Sequence, residues 1–193
     1  MRILFLDLDG TVRYSLDPSG FINKPEDVAV YPEATEQMAR FVRAGWKLAF
    51  VSNQGGIARG FTTHEMFIAG LERTEELLGD VFDGGAYCPH DPDANCGCRK
   101  PRAGMVMALV IGYPVNLPDC LFVGDRPEDE LCAAGAGIPF MRAEDWRAGK
   151  ADVGETKGEI GGNKGVEEPS GEKSGENSTG AETSAEEKAS SLS

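Results

Sequence analysis

The chain of 193 residues has no run of about 18 apolar residues, so no membrane helix is expected. Its N-terminus lacks the long apolar segment and small-residue cleavage site of a secretory signal. Positive charge is scarce: 19 Lys and Arg stand against 32 Asp and Glu, for a net charge of −13. That balance excludes an extended basic face for duplex nucleic acid or anionic lipid. Apolar residues make up only 40% of the chain, which implies that part of it adds nothing to a core. The shortfall is concentrated in residues 149–193, which contain no aromatic residue and no Arg, and whose large aliphatics are Val153, Ile160, Val166 and Leu192. Such a composition cannot offset the backbone entropy of ordering, about 1–2 kcal/mol per residue. The expected organisation is therefore one domain over residues 1–148, net charge −8, followed by a disordered acidic Gly/Ser/Glu-rich tail over residues 149–193, net charge −5. A disulfide framework is also absent: of five cysteines, three fall within residues 88–98. Clustering of that kind points to a metal site in a reducing compartment, and the cytoplasm is the expected location.

Three short apolar runs each end in polar residues. Residues 2–7 (RILFLD) lead to Gly10, residues 47–52 (KLAFVS) lead to Asn53-Gln54-Gly55-Gly56, and residues 120–124 (CLFVG) lead to Asp125. Each reads as a buried strand entering a turn. Between them, Pro32, Ala34, Met38, Phe41, Val42 and Gly45 describe an amphipathic helix. Thr62-x-x-Glu65 reads as a capping box opening a second helix. Further helices are expected over residues 102–111 and 127–135, and a strand over residues 138–141. Alternating strands and helices predict an α/β fold, a Rossmann-like parallel sheet with helices on both faces and ligands at the strands' carboxyl ends. No gap is long enough for a large cap domain. Residues 13–30, rich in Pro, Gly, Asp and Asn, are too long for a plain connector and are expected to form a flap over the site.

The polar residues at those strand ends fall into four motifs. Asp7-Leu8-Asp9-Gly10-Thr11 follows the first strand, Ser52 ends the second, Lys100 stands in Arg99-Lys100-Pro101, and Gly124-Asp125-x-x-x-Asp129 follows the third. In order and context they resemble the haloacid dehalogenase-like phosphatases. The resemblance implies that Asp7 is the nucleophile, forming an aspartyl-phosphate. Asp9 would protonate the leaving oxygen and then activate water. It further implies Mg²⁺ held by Asp7, the backbone carbonyl of Asp9 and Asp125, phosphoryl oxygens held by Ser52 and Lys100, and Asp129 orienting a metal-bound water or a neighbouring backbone group.

A second constellation, Cys88-x-His90-x₅-Cys96-x-Cys98, supplies four donors with Pro and Gly between them to bend the chain around an ion. This predicts a closed, structural Zn²⁺ site in a loop that presents Lys100. Cys-Pro-His followed by Cys-x-Cys-Arg-Lys-Pro, together with Ser-Asn-Gln-Gly-Gly-Ile-Ala-Arg-Gly at residues 52–60, is similar to the zinc-containing D-glycero-D-manno-heptose 1,7-bisphosphate and histidinol-phosphate phosphatases. That likeness marks Asn53 and Arg99 as substrate contacts, with Gln54 and Arg59 as weaker candidates. The sequence departs from the group at Leu8, where Arg is usual, at Arg126, where Lys is usual, and in the flap. The expected function is a Mg²⁺-dependent phosphomonoester hydrolase, a monomer acting on a small sugar phosphate. Alternatives are histidinol phosphate, a polynucleotide 3′-phosphate taken as an end-processing substrate, and a non-catalytic zinc-bearing scaffold. His64 reads as a solvated first-turn residue, while Cys120, Cys132, Trp46 and Trp146 read as packing residues.

Overall fold

The structure is a computed structural model and describes residues 1–154. Five parallel strands form the sheet, in the order β5-β4-β1-β6-β7: β1 (Ile3–Leu6), β4 (Lys47–Asn53), β5 (Gly84–Cys88), β6 (Leu121–Gly124) and β7 (Phe140–Arg142). Alternation along β1 divides the core between the two faces. Leu4 and Leu6 pack with Met38 and Phe41 of α1 (Pro32–Arg43) and Trp146 of α5 (Ala143–Arg147). Ile3 and Phe5 pack with Met105 and Val106 of α3 (Gly104–Val110) and Cys132 and Ala133 of α4 (Pro127–Ala136). Leu6 pairs with Phe50 on one side and Val123 on the other. This register brings Asp7, Ser52 and Asp125 to the same edge of the sheet. Among the described residues no helix is long and apolar enough to cross a membrane.

Helix α2 (His64–Leu78) begins one residue later than the capping-box pattern suggested. Thr63, not Thr62, accepts the Met66 N–H, and the helix closes on Gly79 in the left-handed region, φ 84°. Residues 13–30 contain a small antiparallel hairpin, β2 (Arg13–Ser15) with β3 (Val28–Val30). Strand β5 has no counterpart in the sequence pattern, because Gly84-Gly85-Ala86 offers no apolar run to read. Its glycine answers a packing demand instead: the Phe50 ring lies where a side chain at position 85 would stand.

Packing continues beyond Ala148, the expected boundary. Ala151 is buried against the α1 face and Val153 packs beside it. The Val153 carbonyl accepts from Trp46 Nε1 at 2.9 Å and from Arg2 at 3.1 Å. Arg40 donates to the Gly149 carbonyl at 3.3 Å. Composition carries no sign of this segment because two small apolar side chains and two carbonyls accepting three hydrogen bonds suffice to dock it. Residues 155–193, the remainder of the proposed tail, lie outside the described residues. Truncation after Ala148 is expected to cost about 2–4 kcal/mol from lost burial and hydrogen bonds. A melting curve should accordingly fall by about 4–12 °C relative to a chain truncated after Gly154; equal melting temperatures would contradict the docking.

Candidate active site

Lys100 is the centre of the arrangement. Its ammonium, only 3% exposed, lies 2.5 Å from Asp7 Oδ1 and 2.7 Å from Asp129 Oδ1, and donates to the Val51 carbonyl at 2.7 Å. Breaking such a buried pair typically costs about 3–5 kcal/mol, since it strands the partner charge. Burial opposes the charge on Lys100, but Asp7 and Asp129 outweigh it and hold its pKa above the usual lysine value. Burial likewise pushes the Asp7 carboxyl up to about 7, with Lys100 pulling against that rise and Asp129 adding to it.

Asp129, one turn into α4, is fully committed: its second oxygen accepts the Arg126 N–H at 3.0 Å. Asp125 is different. Its Oδ1 is buried without a hydrogen-bond partner, and burial followed by the Asp129 charge raises its pKa. Gly10, φ 94°, leaves the room that the Asp125 carboxylate fills. Carboxylate oxygens of Asp7, Asp125 and Asp129 lie within 4.8 Å of one another. With Asp129 committed, Asp7 and the unpartnered buried oxygen of Asp125 make a donor set that suits a hard divalent cation.

Asp9 lies on the open side. Arg13 Nε donates to its Oδ1 at 2.7 Å, and Gln54 Nε2 donates to its Oδ2 at 2.7 Å and to Ser52 Oγ at 2.8 Å. Asn53, expected as a substrate contact, faces the Lys100 backbone, donating to its carbonyl at 3.1 Å and accepting its N–H at 3.0 Å. Arg99, the other expected contact, reaches the His90 carbonyl at 3.4 Å and lies against Gly55; it is not among the residues lining the adjacent cleft. That cleft, about 780 Å³, is lined by Asp9, Gln54 and Asp125, by Tyr14 to Asn23 of the flap in part, and by Arg59, Phe61 and Arg126. From the sequence, Arg13 is expected near the strand ends with Arg59, Arg99 and Arg126, as a cation for a second phosphate; the structure buries it beside Asp9. A basic residue four positions after an Asp carries no signal of that pairing until the turn between them is known.

The sulfurs of Cys88, Cys96 and Cys98 and Nδ1 of His90 lie 3.2–3.6 Å apart in five pairings. A tetrahedron around Zn²⁺ has edges of about 3.5–3.8 Å, given bonds of roughly 2.3 Å to sulfur and 2.0 Å to nitrogen. The cluster is therefore shaped to hold zinc. Without an ion, burial pushes the Cys88 thiol up to about 12. Burial opposes ionisation of Cys96 as well, but the Arg99 and Cys98 backbone N–H groups and the neighbouring thiols bring it down to about 6. The loop is tied to the turn after β4 through Gln54 N–H to the Cys88 carbonyl at 2.7 Å, and through an Arg59–Asp91 ion pair at 2.5 Å.

Residues 2–151 match the family model described as polynucleotide kinase 3 phosphatase. The chain belongs to that family, within the haloacid dehalogenase-like phosphatases. This phosphatase is 34% identical over 144 residues to a probable D-glycero-D-manno-heptose-1,7-bisphosphate 7-phosphatase of Thermoplasma volcanium, covering 72% of the chain and 97% of the relative. With the D-glycero-beta-D-manno-heptose-1,7-bisphosphate 7-phosphatase of Pseudomonas putida it shares 36% over 140 residues, 71% of the chain and 79% of the relative. A crystal structure of D,D-heptose 1,7-bisphosphate phosphatase from B. bronchiseptica, complexed with magnesium and phosphate, superposes with a TM-score of 0.66 at 32% identity, covering 72% of this chain and 79% of that one.

Zinc analysis of the phosphatase purified without added metal should find one ion per chain. Cys98→Ser should reduce that content and lower the melting temperature by at least about 5 °C. Zinc well below one per chain, with an unchanged melting curve for the variant, would contradict the assignment.

Proposed function

We propose that the chain removes one phosphoryl group from a small sugar bisphosphate, with a heptose 1,7-bisphosphate first among substrates. The observation that carries this reading is the buried Asp7–Lys100 pair beside the unpartnered Asp125 carboxylate, opening onto a cleft of about 780 Å³. The names of the relatives, and the magnesium and phosphate of the B. bronchiseptica structure, support it.

Phosphoryl transfer asks a protein mainly for positioning and charge neutralisation. Asp7 is the nucleophile in this reading, and its carboxylate attacks phosphorus to give an aspartyl-phosphate. Burial raises its pKa against the pull of Lys100, and a further positive charge beside it would favour the carboxylate form. Asp7, Asp125 and the Asp9 carbonyl would hold Mg²⁺, which supplies that charge and screens the incoming phosphate. Lys100 and Ser52 hold phosphoryl oxygens. Asp9, half-exposed on the cleft wall, protonates the departing oxygen and later takes a proton from water. Two carboxylates in unlike surroundings thus take unlike roles. Asn53 and Arg99 act on this reading through the Lys100 backbone and the zinc loop, with direct substrate contact falling to groups on the cleft. The free thiols at the zinc site suit a reducing compartment such as the cytoplasm.

A second substrate has a specific observation in its favour. Phe21 and Phe61 line the cleft and are 70% and 72% exposed, as a platform for a base beside a nucleotide 3′-phosphate would be. Few cations accompany them, which disfavours a long strand.

With the full chain and Mg²⁺, Asp7→Asn should lower kcat by at least about three orders of magnitude, and chelation of Mg²⁺ should abolish turnover reversibly. Wild-type-like hydrolysis by Asp7→Asn would contradict covalent catalysis. The substrate is decided by comparing kcat/KM for the heptose bisphosphate, histidinol phosphate and a 3′-phosphorylated oligonucleotide. Preference for either of the last two by about tenfold, roughly 1.4 kcal/mol of transition-state binding, would overturn the sugar assignment.

A further inference from the structure

The carboxylate of Asp9 is held from two sides, and one of the holders is buried. Directly after β1 the chain curls back. The Gly10 N–H donates to the Arg13 carbonyl at 2.8 Å, and the N–H groups of Thr11, Val12 and Arg13 converge on the Leu8 carbonyl at 2.9–3.2 Å. Residue 13 therefore returns beside residue 9. There the Arg13 guanidinium, in a side chain only 1% exposed, pairs with Asp9 at 2.7 Å. Its Nη1 group goes to α2, donating to Thr74 Oγ1 at 2.9 Å and to the Gly70 carbonyl at 3.3 Å, and Cζ lies 5.8 Å from the Phe67 ring centroid.

Burying a guanidinium is costly unless its donors are used. Among the described residues the one carboxylate paired with Arg13 is Asp9, whose side chain is 45% exposed on the cleft wall. The cost is thus spent on fixing a cleft carboxylate to a helix that carries none of the four phosphatase motifs. The planar fork suits that task, because it fixes direction as well as distance. Gln54, on Asp9 Oδ2 and Ser52 Oγ, completes the restraint from β4.

We infer that Arg13 is a positioning residue for proton transfer, setting the orientation of Asp9 through its anchor on Thr74. The inference rests on the reading of Asp9 as general acid and base. As the Asp7 carboxylate bonds to phosphorus, the bond from phosphorus to the leaving oxygen breaks. Its electron pair stays on that oxygen, which takes the proton from Asp9. Water then attacks the aspartyl-phosphate, gives a proton back to Asp9, and Asp7 leaves with its electron pair as a carboxylate. With Arg13 on Oδ1 and Gln54 on one lone pair of Oδ2, the remaining lone pair of Oδ2 is left to exchange the proton. An alkoxide leaving group needs that proton, whereas a nitrophenolate departs without it.

The test measures kcat/KM, which ends at the first irreversible step, phosphoenzyme formation, for a sugar phosphate and for p-nitrophenyl phosphate with the Mg²⁺-loaded full chain. Arg13→Met should lower the sugar-phosphate value about 30- to 100-fold and the nitrophenyl value less than about threefold. Arg13→Lys should recover most of the difference. Thr74→Val, which leaves Arg13 and Asp9 in place, should shift the ratio in the same direction about three- to tenfold, and it carries the test if Arg13→Met does not fold. Equal losses on both substrates, or an unchanged sugar-phosphate value in either variant, would overturn the inference. Asp9→Asn separates the two levels. If it lacks the selective loss, the reading of Asp9 fails; if it shows the loss and the Arg13 and Thr74 variants do not, only the role of Arg13 fails.

Discussion

The buried ammonium of Lys100 between Asp7 and Asp129 is the constraint on which the rest of the site depends. Lys100 at 3% exposure could not be buried as a cation without these two partners, and it is the cation they share. The three residues come from three places in the chain: the end of β1, the loop before α3 and the first turn of α4. One electrostatic contact therefore closes the sheet edge across separate crossovers. Much else serves to aim Lys100. The Val51 carbonyl receives one of its protons, Asn53 clamps its backbone on both sides, and the zinc cluster ends two residues before it. The zinc site is thus tied to the chemistry through the position of one ammonium, although no cluster ligand lines the cleft.

Around that centre, the carboxylates divide by what already binds them. Asp129 is saturated by Lys100 and a backbone N–H, so its work is done within the protein. Asp125 keeps a buried oxygen free, and burial raises the pKa of Asp7 against the pull of Lys100. Asp9 faces the cleft under the control of Arg13 and Gln54. An acidic protein of net charge −13 can thereby receive a phosphorylated substrate, because the negative charges nearest the phosphate are either neutralised in pairs or poised for a cation.

The sheet, the strand-end motifs and the metal-binding loop were legible because each rests on local pattern. Apolar runs ending in Asp or Ser mark buried strands entering a site, and the Cys/His spacing defines a loop that can close on one ion. What was not legible depends on partners distant in sequence. Strand β5 is glycine-rich because Phe50 lies on it. The segment from Gly149 to Gly154 docks because Trp46, Arg2 and Arg40 have donors to satisfy. Arg13 reads from the sequence as a cation near the strand ends, and its pairing with Asp9 emerges only when the turn after β1 folds it under α2. Asn53 and Arg99 also hold the loop that presents Lys100, contacts that their residue types alone do not reveal.

The central claim is that the Asp7 carboxylate, held between Lys100 and a divalent cation, forms a covalent bond to the transferred phosphoryl group. The most direct measurement is acid quenching of the Mg²⁺-loaded protein during turnover, followed by digestion and mass spectrometry. The account predicts one added phosphoryl group on the peptide containing Asp7, with fragmentation placing it on that side chain. Steady turnover with no phosphorylated peptide, or with the phosphoryl group on another residue, would contradict it.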